Sequence, residues 1–174
     1  MSKSKNNKVL IVTYYWPPAG GPGVQRWLKF ANYLPEFGIE PIIYTPENPS
    51  YPLIDKTLSA EISPDLKVVR TKIWEPYQIA EKLNPKTKDY KAGNFEKSDK
   101  QSFLTRLSVF VRGNYFIPDA RKFWVKPSVK FLKNYLLENQ IETIITTGPP
   151  HSMHLIGLKL KKKNPNLKWI ADFR

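Results

Sequence analysis

Cysteine is absent from the 174 residues. That excludes disulfides, thiolate nucleophiles and Cys-type zinc sites, and it fits a reducing compartment. Histidine occurs only twice, so a His-rich metal centre is not expected. No apolar run approaches the ~20 residues of a membrane span. The apolar stretch nearest the N-terminus, Val9–Val12, is too short for the roughly 7–15 apolar residues of a signal-peptide core. The expectation is a cytoplasmic protein. Acids are scarce: 15 Asp and Glu against 28 Lys and Arg leave a net charge of +13.

What is present argues for a folded domain. Hydrophobic residues make up 41% and aromatics 13%, a composition unlike that of disordered chains. A chain of ~150 residues buries roughly 70% of its unfolded surface, enough for one core. Proline is in surplus, 16 of 174, against an average near ~5%. Pro17-Pro18, Pro22, Pro46, Pro49, Pro52 and Pro149-Pro150 mostly follow strand-like runs. They predict rigid, shaped loops at one end of a sheet.

The hydrophobic pattern alternates between two periods. Lys8–Tyr14, Glu40–Thr45, Leu66–Thr71, Glu142–Thr147 and Lys168–Phe173 read as strands, the first with the continuous apolar character of a buried parallel sheet. Val24–Phe37 reads as a helix with Val24, Trp27, Leu28, Ala31 and Leu34 on one face, disturbed at Pro35 and stopped at Gly38. Residues 54–62 and 74–83 are short helix candidates, and 102–112 is an amphipathic one. The polar run 84–100 reads as a surface loop. Residues 119–139 form a longer helical region, with Asp119 able to cap it and Pro127 expected to break or kink it. His151–Lys163 is a further helix, with Met153, Ile156, Gly157 and Leu160 toward the sheet, and Lys161–Lys163 complementing its dipole. Alternating strands and helices predict an α/β, doubly wound, mainly parallel sheet with helices on both faces. In such sheets ligands bind outside the carboxyl ends of the strands. The sequence given stops at such a place, so residues 1–174 are expected to be one domain of a larger protein.

Several groups there can carry chemistry. Gly20-Gly21-Pro22-Gly23 precedes a helix, where free backbone N–H groups favour an anion; its plain structural reading is a tight turn. The spacing is not the G-x-G-x-x-G of a dinucleotide site. Arg26, in the first turn, can offer a planar fork to a phosphate or sit on a solvated face. His151, at a helix start, is a candidate base or hydrogen-bond donor, and His154, one turn on, reads as a packed or surface residue. Asp172 and Arg174 end the last strand, where carboxylate and guanidinium suit hydroxyl-rich or phosphate ligands, or an ion pair between Asp172 and an arginine.

Taken together, YYWPPAGGPGVQR (Tyr14–Arg26), WLKFANYLPEFGIEPIIYTP (Trp27–Pro46), FIPDARKFW (Phe116–Trp124), TGPPHSMHLIGLKLKK (Thr147–Lys162) and WIADFR (Trp169–Arg174) resemble the N-terminal half of bacterial GT-B glycosyltransferases of the family 4 type. The resemblance covers nearly the whole chain in order. It implies a Rossmann-like acceptor domain facing, across a cleft, a C-terminal domain that binds the nucleotide sugar and lies outside these residues. It implies sugar transfer, usually with retention and without a required metal, onto a glycan or lipid-linked acceptor at the inner membrane face. Gly20, Gly21, Gly23 and Arg26 would then face the donor pyrophosphate or reaction centre. Asp119, Arg121, Thr147, Gly148, His151 and Arg174 would serve the acceptor, and His151 and Asp172 would be the catalytic candidates. One departure stands out. The family's reaction-centre histidine usually lies nearer the strand end, where this chain has Thr146-Thr147-Gly148.

The basic charge has three readings: an anionic membrane surface, nucleic acid, or solubility alone. No nucleic-acid module is recognisable, so none is expected as a partner. Residues 103–112 and 122–133, with the Trp and Tyr content, suit a membrane interface. Two other functions compete with sugar transfer. A dehydrogenase-type dinucleotide domain would need an acid ending the second strand, where the chain reads Tyr44-Thr45-Pro46 and only Glu47 is near. A noncatalytic membrane-surface module is the third.

Overall fold

Lys8–Val12 (β1) is apolar throughout after its first residue and occupies the middle of a five-stranded sheet. The computed structural model describes residues 7–75 and 117–173. After β1 come α1 (Pro22–Tyr33), β2 (Glu40–Pro46), β3 (Lys67–Thr71), α2 (Lys122–Glu138), β4 (Thr143–Thr147), α3 (Ser152–Lys163) and β5 (Lys168–Asp172). Short 3-10 turns cover Leu34–Phe37 and Thr57–Glu61. The strand order is β3-β2-β1-β4-β5 and every pairing is parallel.

The register sorts side chains by face. Leu10 lies opposite Ile42 and Ile144, and Ile11 opposite Ile43 and Ile145. Because strand side chains alternate, these two sets point to opposite sides. Leu10, Val12, Ile42, Tyr44 and Ile144 pack with Trp124, Leu132, Met153 and Ile156 of α2 and α3. Ile11 and Ile43 pack with Val24, Trp27, Leu28 and Ala31 of α1. The chain is thus an α/β, doubly wound, Rossmann-like fold, with helices on both faces of the sheet.

Helix ends follow the sequence in part. Leu34–Phe37 tightens around Pro35, and Gly38 closes it in the left-handed conformation, φ 70°. Two expectations need correcting. Pro127 does not break α2, which runs unbroken through it. Pro127 is exposed, whereas Trp124, Val125, Ser128 and Val129 on either side of it are buried and hold both segments to the core. One missing N–H is a smaller loss than releasing that face. Asp119 does not cap α2 either, whose start has no side-chain cap. Its carboxylate instead meets the start of α3, as described below. Of the 74–83 helix candidate, Trp74 and Glu75 are irregular, and the rest lies outside the described residues, as do the 84–100 loop, the 102–112 helix and Arg174.

Candidate functional site

The strand order makes a gap at one place. From β1 the chain passes through α1 to β2 on one side, and from β4 through α3 to β5 on the other. The two connections run over opposite faces, so their loops diverge at the carboxyl ends of β1 and β4. This is the topological switch point where α/β sheets bind ligands. Tyr14–Gly21 and Gly148–His151 flank it.

In the first loop, Gly21 caps α1 with φ 109°, a conformation that favours glycine. No side chain closes this helix end, and no acid lies in its first turn. A Cβ built on Gly21 would meet nothing within 4 Å. Pro22 has no N–H and the Val24 and Gln25 N–H groups bond back to the Gly21 carbonyl at 3.1 and 3.3 Å, so what this helix start offers an anion is the Gly23 N–H and the positive end of the dipole. Gly23 lies within that first turn, whereas Gly20 is anchored by its N–H to the Leu53 carbonyl at 3.0 Å. Arg26 is committed to β5. Its two terminal nitrogens donate to the two oxygens of Asp172, each at 3.0 Å, and the Trp27 indole N–H adds a third bond at 3.2 Å. The Arg26 guanidinium also lies 5.5 Å from the Trp27 and Phe30 rings. The arginine and the aspartate proposed separately from sequence therefore form one bidentate pair, which ties α1 to the last strand.

The second loop arranges both histidines. A Cβ at Gly148 would stand 2.8 Å from His151 Nδ1 and 2.8 Å from His154 Nε2, so only glycine lets both rings approach. His151 is exposed and His154 is buried. Their rings are 5.9 Å apart, and Phe173 lies over His154 at 4.0 Å. The Trp169 indole N–H donates to Thr146 Oγ1 at 2.9 Å, and Thr146 Oγ1 lies 2.8 Å from His154 Nδ1. An indole only donates, so Thr146 Oγ1 accepts from Trp169 and shares a second hydrogen bond with His154 Nδ1. Burial holds this imidazole below the ordinary histidine range; His151 adds to the shift and Asp172 opposes it.

Among the described residues, three buried polar atoms near the carboxyl ends of β1 and β4 have no hydrogen-bond partner: Trp16 Nε1 in the loop after β1, Thr147 Oγ1 at the end of β4 and His154 Nε2 in the first turn of α3. The sequence had singled out Thr147, Gly148 and His151 here; Trp16 was not among its candidates, and His154 was read as packed or at the surface.

Behind the loops sits a buried carboxylate. Glu75 is 1% exposed. Tyr14 OH donates to its Oε1 at 2.8 Å, the Ser50 N–H to its Oε2 at 2.7 Å, and Arg121 Nε lies 3.1 Å from Oε1. The Arg121 guanidinium also covers the Tyr14 ring at 4.8 Å. Burial pushes the Tyr14 phenol far above its usual range, against the pull of Arg121. Asp119 is equally engaged. One oxygen accepts from the Arg121 N–H at 2.8 Å and the Ser152 hydroxyl at 2.7 Å, the other from the Ser152 N–H at 2.9 Å. Asp119 thus caps α3, and Arg121 braces Tyr14. Glu75 was missed from sequence; the one signal was an acid adjoining the apolar pair Ile73-Trp74.

Other hollows lie elsewhere. One of about 350 Å³ opens at the amino edge among Ala31, Pro35, Ile39, Pro41 and Leu66. Among the described residues, no three His, Asp or Glu side chains gather to hold a metal, and no helix is long and apolar enough to cross a membrane. The fold is a Rossmann-like domain whose switch point lies at the carboxyl ends of β1 and β4. Comparison with protein-family models, curated proteins and solved structures gives no match.

Two outcomes follow. Glu75→Gln leaves Arg121 without its carboxylate and should cost about 3 kcal/mol in urea unfolding, part of it recovered when Arg121→Met is added; a neutral single variant would contradict the brace. The lowered His154 value means that the folded chain binds this proton less well than the unfolded chain. Its stabilising contribution is complete above pH ~6.5 and is lost as pH falls from there through the lower folded value. Unfolding midpoints should therefore drop more between pH 8 and pH 5 in the wild type than in His154→Gln, and equal drops would contradict the buried neutral imidazole.

Proposed function

We propose that this chain is the acceptor-binding N-terminal domain of a GT-B glycosyltransferase of the family 4 type. It serves transfer of a sugar from a nucleotide sugar to a lipid-linked or polysaccharide acceptor in envelope synthesis, on the cytoplasmic side of the membrane. The observation that carries this reading is the meeting, at one switch point, of an acid-free helix start at Gly21 with the unpartnered buried atoms Thr147 Oγ1 and His154 Nε2. The first suits the donor pyrophosphate, and the second suits sugar hydroxyls.

In the reaction the acceptor oxygen replaces the nucleoside diphosphate at the anomeric carbon. The helix start at Gly21 and Gly23 stabilises charge growing on the departing diphosphate. His154 Nε2 and the Thr147 hydroxyl orient the acceptor, and His151, exposed at the rim, is the general-base candidate. Asp172 is held in three hydrogen bonds, which favours a positioning part through Arg26 and Trp27 over proton transfer. The dinucleotide reading draws less support. β2 ends at Pro46, and the following Glu47 is exposed, its N–H bonded to the Thr71 carbonyl.

The test is a transfer assay of the complete reading-frame product with a panel of nucleotide sugars and lipid-linked glycans. Gly148→Ala, which displaces both histidines, should lower kcat at least 10-fold, an effect of about 1.4 kcal/mol on the barrier. The 174-residue chain alone should be silent. Transfer by that chain alone, or tight dinucleotide binding without transfer, would overturn the proposal.

A further inference from the structure

We infer that Trp169, acting through Thr146, is a positioning residue that fixes His154 as a hydrogen-bond donor at Nε2. Thr146 is fully buried, and its hydroxyl has a single proton. Among the described residues its oxygen meets two nitrogens, Trp169 Nε1 at 2.9 Å and His154 Nδ1 at 2.8 Å. The indole N–H can only donate, so the oxygen accepts from Trp169. If Nδ1 carried the imidazole proton, both neighbours would donate. The hydroxyl proton would then be buried without an acceptor, which folded proteins avoid. With Nδ1 bare, the hydroxyl donates to it and each bond of the Trp169–Thr146–His154 chain has one donor and one acceptor. The imidazole proton then sits on Nε2.

Packing holds both ends of this chain. His154 is 6% exposed, and Phe173 lies over its ring at 4.0 Å. Trp169 pairs in register with Ile144, two residues before Thr146. Ile144 and Thr146 share a face of the sheet, so the indole reaches the hydroxyl on the side that α3 covers. A Cβ on Gly157 of α3 would overlap the indole, so the helix comes this close only because that position is glycine.

The two histidines thereby take different parts. His151 is exposed, whereas His154 keeps one tautomer and resists a second proton. That proton would have to enter at Nδ1, against the hydroxyl that donates there. Burial opposes the added charge most, His151 next, and Asp172 favours it. An imidazole held neutral offers a donor of fixed direction, which suits a ligand oxygen better than proton transfer. Nε2 is also the ring atom left without a partner. Naming that ligand oxygen as a sugar hydroxyl rests on the sugar-transfer reading; the tautomer and its cause do not.

The experiment is a long-range proton–nitrogen NMR spectrum of the chain labelled with nitrogen-15 in its histidine rings, followed from about pH 8 to about pH 5. His151→Asn assigns the signals. In the wild type, His154 should show a bare Nδ1 and a protonated Nε2. Trp169→Phe keeps a ring in place and removes the N–H, which frees the Thr146 oxygen to accept from Nδ1. The second tautomer should then appear, and the titration midpoint of His154 should rise by roughly half a unit, about a threefold gain in proton affinity. Gly157→Ala pushes the indole away without altering any member of the chain and should act in the same direction. A protonated Nδ1 in the wild type would overturn the inference, whatever the variants do. So would an unchanged ring spectrum and midpoint in both variants, with circular dichroism confirming that they fold. The measurement uses no ligand and no turnover, so its failure is distinct from failure of the transfer assay.

Discussion

The carboxyl edge of this sheet depends on one buried carboxylate. A Glu75 side chain almost without solvent contact is tolerable only if hydrogen bonds and an opposite charge replace its water. Each replacement comes from a different part of the chain: Tyr14 after β1, Ser50 after β2, and Arg121 at the entry to α2. Three connections that share no local sequence are thereby drawn to one point. The floor of the crevice is fixed because the alternative is an unpaired charge in the interior.

Two further acids do related work at the rim. Asp119 binds the start of α2 to the start of α3, and Asp172 binds β5 to α1. Each uses its oxygens on protein donors. The consequence is chemical. Asp172, a catalytic candidate in the sequence, and Asp119, an acceptor candidate, are engaged in architecture, which leaves the start of α1 and the unpartnered Thr147 Oγ1 and His154 Nε2 for the proposed ligand. The net charge of +13 favours an anionic one.

The layers were legible in the sequence because they rest on local pattern. The runs of β1, β2 and β4 are apolar enough to be strands whatever surrounds them, and proline and glycine mark the loops that follow. The site was legible only as a neighbourhood. An ion pair between Asp172 and an arginine was one of the sequence readings, but that the arginine is Arg26, 146 positions away, is beyond the reach of any spacing rule. The same holds for Tyr14 and Glu75, 61 apart. His154 was read as packed or at the surface from its place one turn into the helix, and it is buried. Its bond to Thr146 depends on the register of β4 against α3, which periodicity does not carry. Pro127 misled because its local cost is real but smaller than the burial on either side.

The most direct measurement is an amide chemical-shift map of the 174-residue chain titrated with the nucleotide-sugar panel and an acceptor glycan. The largest shifts should fall on Gly21, Gly23, Thr147, Gly148 and His154, on both sides of the switch point. Shifts confined to the amino-edge hollow around Ala31, Ile39 and Leu66, or no saturable shifts with any of these ligands, would contradict the assignment of function to the carboxyl edge.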